Sequence, residues 1–491
     1  MKRTNKQSNI SNKRNIKTRQ NTKEKNDKDN LTLELFQTLD KTFLENPFNK
    51  IIQNAISVNS ISDVCQDRSY MQSISHYFSN VIEPQLINTN QAHSGRCWIF
   101  AVLNVARHKT ICKYQLQDDF EFSQCYLSFW DKLEKCNYFL NEIIKNRQLD
   151  NFLNDNYVIS LLSDPVCDGG YWITCKNLIK KYGLVPQTCF DESYNSSNTE
   201  ELNYILECKL RQYAFELHQI TDENECYVKK KQMIETIFHI MCKLFGSPKL
   251  PNVDFTWEYY LDRNKDIVEM IDRQKKRQKT GEYKNLNVKK ILTTNAIRYY
   301  NEYIPFECDD IIHLAHDPRN EYNKCYTNEK HDFVYDGEKS LFLNLDINYL
   351  ITFAKTSILN NTPVIFMCDV HKHMNSDSSL LDTKCYDYQS VFNTSFDEME
   401  KANRISFRES RATHAMTIVG VDLDVNGNPI KWDVENSWGK QAGNFTMSND
   451  WFLEYVFDIF VDRQYIDKNI MDIYNKEMIH PKVLPFDDPF V

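Results

Sequence analysis

The sequence changes from polar to apolar within the stretch Gln91-Ala-His-Ser-Gly-Arg-Cys97-Trp98-Ile-Phe-Ala-Val-Leu-Asn104. From Trp98 to Ala106 the residues are apolar nearly all round, which predicts a buried helix. Cys97 then lies in the first turn, where unpaired N–H groups and the positive end of the helix dipole favour a thiolate. A thiolate can attack a carbonyl carbon. Gln91, six residues upstream, carries an amide donor that could reach an oxyanion beside the sulfur.

A cysteine at the start of an apolar helix also has a simpler explanation. Free cysteine is among the most frequently buried residue types and then acts as a small apolar side chain. Cys97 alone therefore leaves both interpretations open, and the choice between them depends on the rest of the chain.

The composition is that of an ordinary globular protein, with 41% hydrophobic and 26% charged residues among 491. This length allows a large core and two or three lobes. No apolar run approaches the length of a membrane span, and the N-terminus has no apolar signal-peptide region. The 15 cysteines are odd in number and include no C-x-x-C pair, so we expect free thiols in a reducing compartment.

Charge is unevenly distributed along the chain. Residues 1–30 carry a net charge of +7, and the other residues carry −16. The first segment has almost no apolar residues, and we expect 1–32 to be a disordered basic tail. A second basic run spans Arg273–Lys279. Both segments could contact nucleic-acid phosphates, although a solvated surface is the commoner explanation of such runs, and the acidic body argues against nucleic acid as the main partner.

Secondary-structure patterns change along the chain from helical to strand-like. Apolar residues have helical spacing near the N-terminus and in the central block, within 33–39, 126–130 and 238–245. Short apolar runs in the last third predict strands at 363–370, 414–422 and 430–436, and Asn426-Gly427 predicts a hairpin turn between the last two. Helices followed by strands predict an α+β fold.

His414 opens one predicted strand and Asn436 ends the next, so the hairpin can bring the two side chains together. An amide oxygen beside an imidazole fixes its orientation, as in a nucleophile–base–orienter set. The indole of Trp438 could shield that hydrogen bond from water. Alone, His414 is explained as a core histidine and Asn436 as a strand-end turn residue, and only their combination with Cys97 indicates catalysis.

Three motifs resemble the active-site motifs of papain-like cysteine peptidases. They are Gln91…Ser94-Gly-Arg-Cys97-Trp98, Thr413-His414-Ala-Met416 and Glu435-Asn436-Ser-Trp438-Gly439. The usual signature is C-G-[SA]-C-[WY], with His and Asn about 130–150 residues downstream. This chain has Ser-Gly-Arg before the cysteine, and His414 follows 317 residues after Cys97. In both features the chain resembles the bleomycin hydrolase (aminopeptidase C) branch of the family. Further segments that resemble this branch occur in the same order and extend the resemblance over about residues 35–489.

The resemblance implies a role for each matching residue. Cys97 would be the nucleophile, His414 its partner and proton donor, and Asn436 the residue that orients His414. The Gln91 amide and the Cys97 N–H would form the oxyanion hole. Substrate binding would involve Gly169, Gly170, Trp438 and the terminal carboxylate of Val491. No metal or organic cofactor is implied.

The resemblance also implies a papain-like two-lobe fold with a large helical insertion and a C-terminal arm in the cleft. The predicted domains begin with a basic tail (1–32) and a helical lobe that carries the nucleophile (33–200). A mainly helical insertion for oligomerisation (201–345), a strand-rich lobe that carries His and Asn (346–480) and the C-terminal arm (481–491) follow. We expect a cytoplasmic homohexamer that acts on peptides with a free N-terminus, has no membrane association, and binds nucleic acid weakly through 1–30 and Arg273–Lys279.

In the resembling family the terminal carboxylate pairs with the substrate's α-ammonium group, and a fixed anion of this kind determines which peptide bond meets the sulfur. Only Phe490 and Val491 follow the aligned Asp488-Pro489 in this chain. A shortfall of three residues would withdraw the carboxylate by roughly 10 Å. The alternative to strict single-residue aminopeptidase action is therefore relaxed dipeptidyl or endopeptidase action.

Overall fold

The computed structural model describes residues 30–261, 288–396 and 398–490. Three predicted features lie outside the described residues: the basic tail up to residue 29, the run Arg273–Lys279 and Val491. No helix of the described part is long and apolar enough to cross a membrane.

The chain forms two units. The first comprises the residues up to Gln66 together with Ser390–Asn393. Its described part contains helices α1 (Leu33–Glu45), α2 (Pro47–Ile56) and α3 (Ile61–Cys65). The helical spacing predicted at 33–39 is confirmed by α1. Neither α1 nor α2 has a buried residue, and large apolar side chains on both are exposed, among them Leu33, Phe36, Leu44, Phe48 and Ile51.

The second unit comprises Asp67–Gln389 and Thr394–Val491. Its helices before residue 250 are α4 (Arg68–Ser73), α5 (Cys97–Tyr114), α6 (Gln124–Asn146), α7 (Asn156–Ser163), α8 (Trp172–Tyr182), α9 (Tyr194–Ser197), α10 (Thr199–His218) and α11 (Glu223–Phe245). Other α-helical segments along the chain are Ala296–Arg298, Ile347–Leu359, Tyr388–Phe392, Lys401–Ser406, Asn449–Tyr455 and Lys468–Glu477.

Most strands form one mixed sheet. The strands are β1 (Asn80–Val81), β2 (Phe255–Leu261), β3 (Val288–Thr294), β4 (Ile311–Ala315), β5 (Lys324–Thr327), β6 (Phe342–Asn344), β7 (Val364–Cys368), β8 (Met374–Asn375), β9 (Leu380–Leu381), β10 (His414–Leu423), β11 (Pro429–Glu435), β12 (Phe445–Ser448), β13 (Val456–Asp462) and β14 (Lys482–Val483). Within the described residues the sheet order is β14-β5-β6-β4-β13-β7-β10-β11-β12-β9-β8, with β1 paired to β10, while β2 and β3 pair separately.

Local sequence signals account for the ends of several elements. The Ser123 hydroxyl accepts a hydrogen bond from the Tyr126 N–H at 3.0 Å and caps α6, which satisfies a donor that the first helical turn leaves free. Helix α11 ends at Phe245 and is followed by Gly246, whose φ of +95° is readily adopted only by glycine. The predicted hairpin is confirmed: Gly427 has a φ of +80° and joins β10 to β11.

In the predicted helical block 201–345, short helical segments such as Ala296–Arg298 occur later, but the long helices α10 and α11 extend only as far as Phe245. The described residues after it form the β2–β3 hairpin and then β4, β5 and β6, which join the main sheet. Alternating apolar and polar residues in Phe255-Thr-Trp-Glu-Tyr259 have the period of a strand, and this short signal was outweighed by the long helical pattern before it. The proposed domain boundaries stay a prediction.

Two apolar cores meet at β10, which contributes Ala415 to one and Met416 to the other. One gathers residues of α5, α6, α8, α10 and α11, and the other lies among the sheet strands and the helix Ile347–Leu359. Helix α5 is buried along nearly its whole length, and the Thr417 hydroxyl of β10 donates to the Ala101 carbonyl of α5 at 3.4 Å. Contact between α5 and β10 therefore fixes Cys97 beside His414. The α+β class predicted from the sequence is confirmed.

Candidate active site

Cys97 is the first residue of α5 and lies next to the start of β10. Its sulfur accepts a hydrogen bond from the Ala415 N–H at 3.5 Å. Burial works against the thiolate, but the positive charge and hydrogen bond of His414, with the N–H groups of Ala415 and Trp98, outweigh it and lower the pKa of Cys97. A thiol with a lowered pKa is a reactive nucleophile near neutral pH.

His414 and Asn436 meet because the two strands that carry them pair antiparallel, with Thr417 opposite Glu435. The Nε2 atom of His414 lies 2.9 Å from Oδ1 of Asn436, and the same oxygen accepts the Ser437 N–H at 2.8 Å. Burial lowers the pKa of His414, but the Cys97 sulfur and the Asn436 oxygen raise it above the usual value overall. The opposite shifts at Cys97 and His414 favour a thiolate–imidazolium pair.

Gln91 is held by hydrogen bonds to both sides of the site. Its Nε2 donates to the Ser94 carbonyl at 2.6 Å, and its Oε1 accepts from the Ser437 hydroxyl at 2.6 Å. Its backbone N–H donates to the Ser437 carbonyl at 2.8 Å. The amide orientation is therefore fixed, and since an amide carries two N–H bonds, one of them is not used by Ser94. Gln91 and Cys97 line the same cavity.

A cavity of about 390 Å³ opens over the cysteine. It is lined by Gln91, Gly95, Cys97, Trp98, Cys167, Gly169, Gly170, Tyr171, Lys330, His331, Phe333, Met367, Ala412, Thr413 and His414. Cavities of this size accept a small ligand or a few residues of a chain. The predicted Gly169 and Gly170 lie in its wall, whereas the Trp438 ring packs 5.4 Å from the His414 ring and is not among the lining residues. The substrate-binding role of Trp438 stays a prediction.

Asp168, directly before Gly169 and Gly170, holds this part of the chain against the loop that precedes Cys97. Its carboxylate accepts from the Gly95 N–H at 2.9 Å, from Lys132 Nζ at 2.7 Å and from Asn203 Nδ2 at 2.9 Å, and also from the Thr199 hydroxyl. Burial alone would raise the pKa of Asp168, but Lys132 and these hydrogen bonds hold it well below its usual value. One carboxylate thus connects the loop before Cys97 with α6 and α10.

Two buried lysines of α6 also donate hydrogen bonds to the backbone of residues 166–169. Lys132 Nζ donates to the carbonyls of Val166 and Cys167, and Lys135 Nζ donates to those of Cys167 and Gly169. Lys135 is also paired with Asp131 at 2.8 Å. The backbone from 166 to 169 is therefore fixed by charge-assisted hydrogen bonds, which are stronger than neutral ones.

Gly170 lies directly on the Trp98 indole. A Cβ atom added at Gly170 would lie 2.4 Å from Trp98 Cε2, whereas one added at Gly169 would meet nothing within 4 Å. The indole Nε1 also donates to the Asp168 carbonyl at 2.9 Å. The absence of a side chain at Gly170 is thus required for the cleft wall to approach the start of α5.

The structure brings together Cys97, His414, Asn436 and Gln91, with Gly169 and Gly170 in the cavity wall. Sequence reasoning did not assign roles to Asp168, Lys132, Lys135 and Ala415. Lys132 and Lys135 lie three residues apart in α6 and follow the apolar residues Phe129 and Trp130. This proximity was a weak signal for buried cations, which are expensive unless paired. No sequence pattern marks the Ala415 N–H, because its position depends on strand pairing.

The C-terminal arm passes close to the same cavity. The Pro485 carbonyl accepts from Asn328 Nδ2 at 2.7 Å, and Asp488 pairs with Arg319 at 2.6 Å. Phe490 is buried in a small apolar cluster against which Ala412, a lining residue of the cavity, also packs. The last described residue of the arm thus lies close to the wall of the cleft.

The sequence and fold are similar to those of several known proteins. Residues 30–490 match the model of the Peptidase C1-like family. Bleomycin hydrolase from Homo sapiens is 36% identical over 454 residues, 89% of this chain and 93% of that protein. Aminopeptidase C from Lactococcus lactis subsp. lactis is 33% identical over 465 residues, with coverages of 93% and 98%. The crystal structure of PepW from Lactobacillus rhamnosis HN001 has a TM-score of 0.84 and 30% identity, with coverages of 94% and 98%.

Proposed function

The chain belongs to the Peptidase C1-like family and is a cysteine peptidase with aminopeptidase activity, and we propose that Cys97, His414 and Asn436 carry out its chemistry. The observation that carries this assignment is the shared hydrogen bonding of the three residues. Cys97 Sγ accepts the N–H of the residue after His414, and His414 is itself bonded to Asn436 at 2.9 Å.

The Cys97 thiolate attacks the carbonyl carbon of the peptide bond, and the carbonyl oxygen becomes an oxyanion. The free N–H of the Gln91 amide and the Cys97 N–H at the start of α5 stabilise that charge. Donors fixed in advance stabilise a developing charge without reorganising, and the two hydrogen bonds that hold Gln91 provide this fixation.

The His414 imidazolium then gives its proton to the leaving amine, and the C–N bond breaks. The remaining acyl group is bound to Cys97 as a thioester. His414, now neutral, takes a proton from a water molecule that attacks the thioester, and Cys97 leaves as the thiolate. Asn436 keeps the ring in one orientation through both proton transfers.

Aminopeptidase action requires that the cleft select a peptide with a free α-ammonium group. We assign this selection to the C-terminal arm, whose described part is held by Asn328 and Arg319 and whose Phe490 packs beside the cleft residue Ala412. In this proposal the Val491 carboxylate supplies the anion that pairs with the ammonium group.

Two fluorogenic substrates test this function: an arginyl amide with a free α-amine and its N-acetylated form, both under reducing conditions. We expect turnover of the free-amine substrate alone, and loss of that turnover in Cys97→Ala. Turnover of both substrates would instead indicate the relaxed dipeptidyl or endopeptidase alternative. Cleavage that persists in Cys97→Ala would contradict the assignment of the nucleophile.

We further propose that the protein is a cytoplasmic homohexamer. The first unit exposes large apolar side chains along α1 and α2, and exposed apolar surface of this kind is typical of association sites. The described residues contain no disulfide bond, which is typical of proteins in reducing compartments. Light scattering of the full chain would give the mass, and Phe36→Glu with Phe48→Glu should reduce it.

Nucleic-acid binding is a second proposal, which rests on the basic composition of 1–30 and Arg273–Lys279. Binding through lysine and arginine contacts to phosphates weakens steeply with salt. Retention on DNA or RNA at low salt that is lost at high salt and unchanged in Cys97→Ala would support it. No retention at low salt would contradict it.

A further inference from the structure

A second cavity borders β11, the strand that ends at Glu435, directly before Asn436. It has a volume of about 260 Å³ and is bordered by residues of β1, α5, β10 and β11 and by Asn444. Its wall includes Glu435, the residue directly before Asn436. The Asn88 side chain, also in the wall, donates to the Asn436 carbonyl at 3.4 Å and to Asn444 Oδ1 at 2.9 Å. This cavity is separate from the one above Cys97, with which it shares no lining residue.

Two buried carboxylates line this cavity. Asp433 and Glu435 are two positions apart on β11 and so face the same side, and they are 8% and 7% exposed. Among the described residues, Oε1 of Glu435 has no hydrogen-bond partner. A buried carboxylate oxygen without a hydrogen-bond partner is costly. The cavity therefore lacks a hydrogen-bond donor for Glu435.

The nearest cation does not satisfy this group. Arg107 lies with its NH1 atom 3.9 Å from Glu435 Oε1. Its guanidinium donates instead to the carbonyls of Phe120, Ile87 and Asp118. Arg107 therefore contributes charge at a distance and no direct hydrogen bond to the carboxylate.

The remaining charges around the cavity are mostly negative. Burial raises the pKa of Glu435 to about 7 and that of Asp433 to about 6. Glu121 adds further negative charge near Glu435, while burial lowers the pKa of His108 to about 4, so that this imidazole is neutral at neutral pH. With Arg107 as the opposing cation, ionisation of both carboxyls leaves the cavity with an excess of negative charge.

The size and walls of the cavity restrict what could balance that charge. Its volume lies below the roughly 300–1,000 Å³ of pockets for drug-sized ligands. Part of its wall is apolar, formed by Val81, Ile82, Leu86, Pro363 and Val419. A short alkyl chain suits this part, and a group with several N–H donors suits the carboxylates and the neighbouring amides.

We propose that this cavity binds a primary alkylammonium ion, whose N–H groups donate to Glu435 and Asp433 and whose alkyl chain packs against Val81, Val419 and Pro363. The ammonium group supplies the hydrogen bond that Glu435 Oε1 lacks and neutralises the paired carboxylates. The binding does not depend on the thiol chemistry, because the site lies outside the cleft above Cys97.

The test is calorimetric titration of the full-length protein with n-butylammonium at pH 8, after Cys97 has been alkylated with iodoacetamide. The matched control ligand is n-butanol, which has the same chain without the charge. We expect saturable binding of n-butylammonium at least about tenfold tighter than that of n-butanol. Equal binding of the two ligands, or no binding of either, would overturn the proposal.

Variants and pH locate the site. Glu435→Gln should weaken n-butylammonium binding about tenfold or more, whereas Asp332→Asn, a buried carboxyl that does not line this cavity, should leave it unchanged. Val419→Phe fills the cavity without changing its charge and should abolish binding. The unsubstituted protein should bind about tenfold more weakly at pH 5.5, where Glu435 is protonated. Binding that survives both substitutions and acidification would place the ligand elsewhere.

Discussion

The Nε2 atom of His414 lies 2.9 Å from Oδ1 of Asn436, while the Nδ2 atom of the same amide has no hydrogen-bond partner among the described residues. The Asn436 side chain therefore orients the histidine ring through its Oδ1 atom. Replacement by alanine lets the ring rotate away from Cys97, and misplacement by about 1 Å can cost about 100-fold in rate. We expect Asn436→Ala to lower kcat by about 10- to 100-fold with little change in KM.

The matched control is Asn375→Ala, which removes a buried asparagine that lies outside the cleft. It should leave kcat nearly unchanged even if it lowers stability. Equal kcat values for Asn436→Ala and the unsubstituted enzyme would contradict the positioning role.

The thiolate of Cys97 should persist at lower pH than an ordinary thiolate. The pKa of Cys97 is lowered, chiefly by His414 against the opposing effect of burial, and the pKa of His414 is raised. An ordinary cysteine thiol has a pKa of about 8.5. We expect the rate of Cys97 alkylation by iodoacetamide to stay high well below that pH and to fall only in acid. In His414→Ala the midpoint of the rate profile should move upward, and an unmoved midpoint would show that His414 does not stabilise the thiolate.

Gln91 should act on the oxyanion and not on the thiolate. Loss of one oxyanion-hole donor costs about 100- to 1,000-fold in kcat, so we expect Gln91→Ala to lower kcat by that range. Alkylation of Cys97 by iodoacetamide forms no oxyanion, and its rate should stay within about twofold of the unsubstituted enzyme. A parallel loss in both measurements would mean that the substitution disturbs Cys97 itself.

The elements nearest the catalytic motifs were the most predictable from sequence. The apolar run after Cys97 predicts a buried helix, and the Asn426-Gly427 turn predicts the pairing that brings His414 to Asn436. The papain-like α+β fold implied by the motifs is confirmed. The helix and the strand pairing could be predicted because each depends on a short-range pattern, whereas the papain-like fold was implied by the family resemblance of the motifs.

Contacts between distant segments could not be predicted in this way. The carboxylate of Asp168 receives donors from Gly95 and from Lys132, and no spacing in the sequence specifies which helix supplies the lysine. The same holds for β4, β5 and β6: β4 pairs with β13, β5 pairs with β14, and β6 lies between β4 and β5. These strands are short, and the long helical pattern that ends at Phe245 dominated the prediction for this part of the chain.

Asp168 should stabilise the fold as well as the cleft. Asp168→Asn leaves the buried Lys132 without its ionic partner, and loss of one member of a buried pair costs about 3–5 kcal/mol. The pKa of Asp168 in the folded state is lowered, so its contribution is complete at pH 7 and is lost as pH falls below the unfolded-state value of about 4. Urea unfolding should show a large difference from the unsubstituted protein at pH 7 and a smaller one in acid.

The control for Asp168 is Asp164→Asn, an exposed residue of the same segment. This substitution should change the free energy of unfolding by less than about 0.5 kcal/mol at either pH. A loss of stability that is equal for the two variants, or independent of pH for Asp168→Asn, would show that the carboxylate charge is not responsible.

The neighbouring glycines of the cleft wall offer a matched pair. A methyl group at Gly170 would lie 2.4 Å from the Trp98 ring, which is buried at the start of α5, whereas one at Gly169 would meet no atom within 4 Å. Overpacking a close contact costs about 1–3 kcal/mol, and the displaced indole would move the residue next to Cys97. We therefore expect Gly170→Ala to lower both kcat/KM and the free energy of unfolding, and Gly169→Ala to leave the free energy of unfolding within about 0.5 kcal/mol of that of the unsubstituted protein. Equal losses in the two variants would mean that the segment depends on glycine flexibility and not on close approach to Trp98.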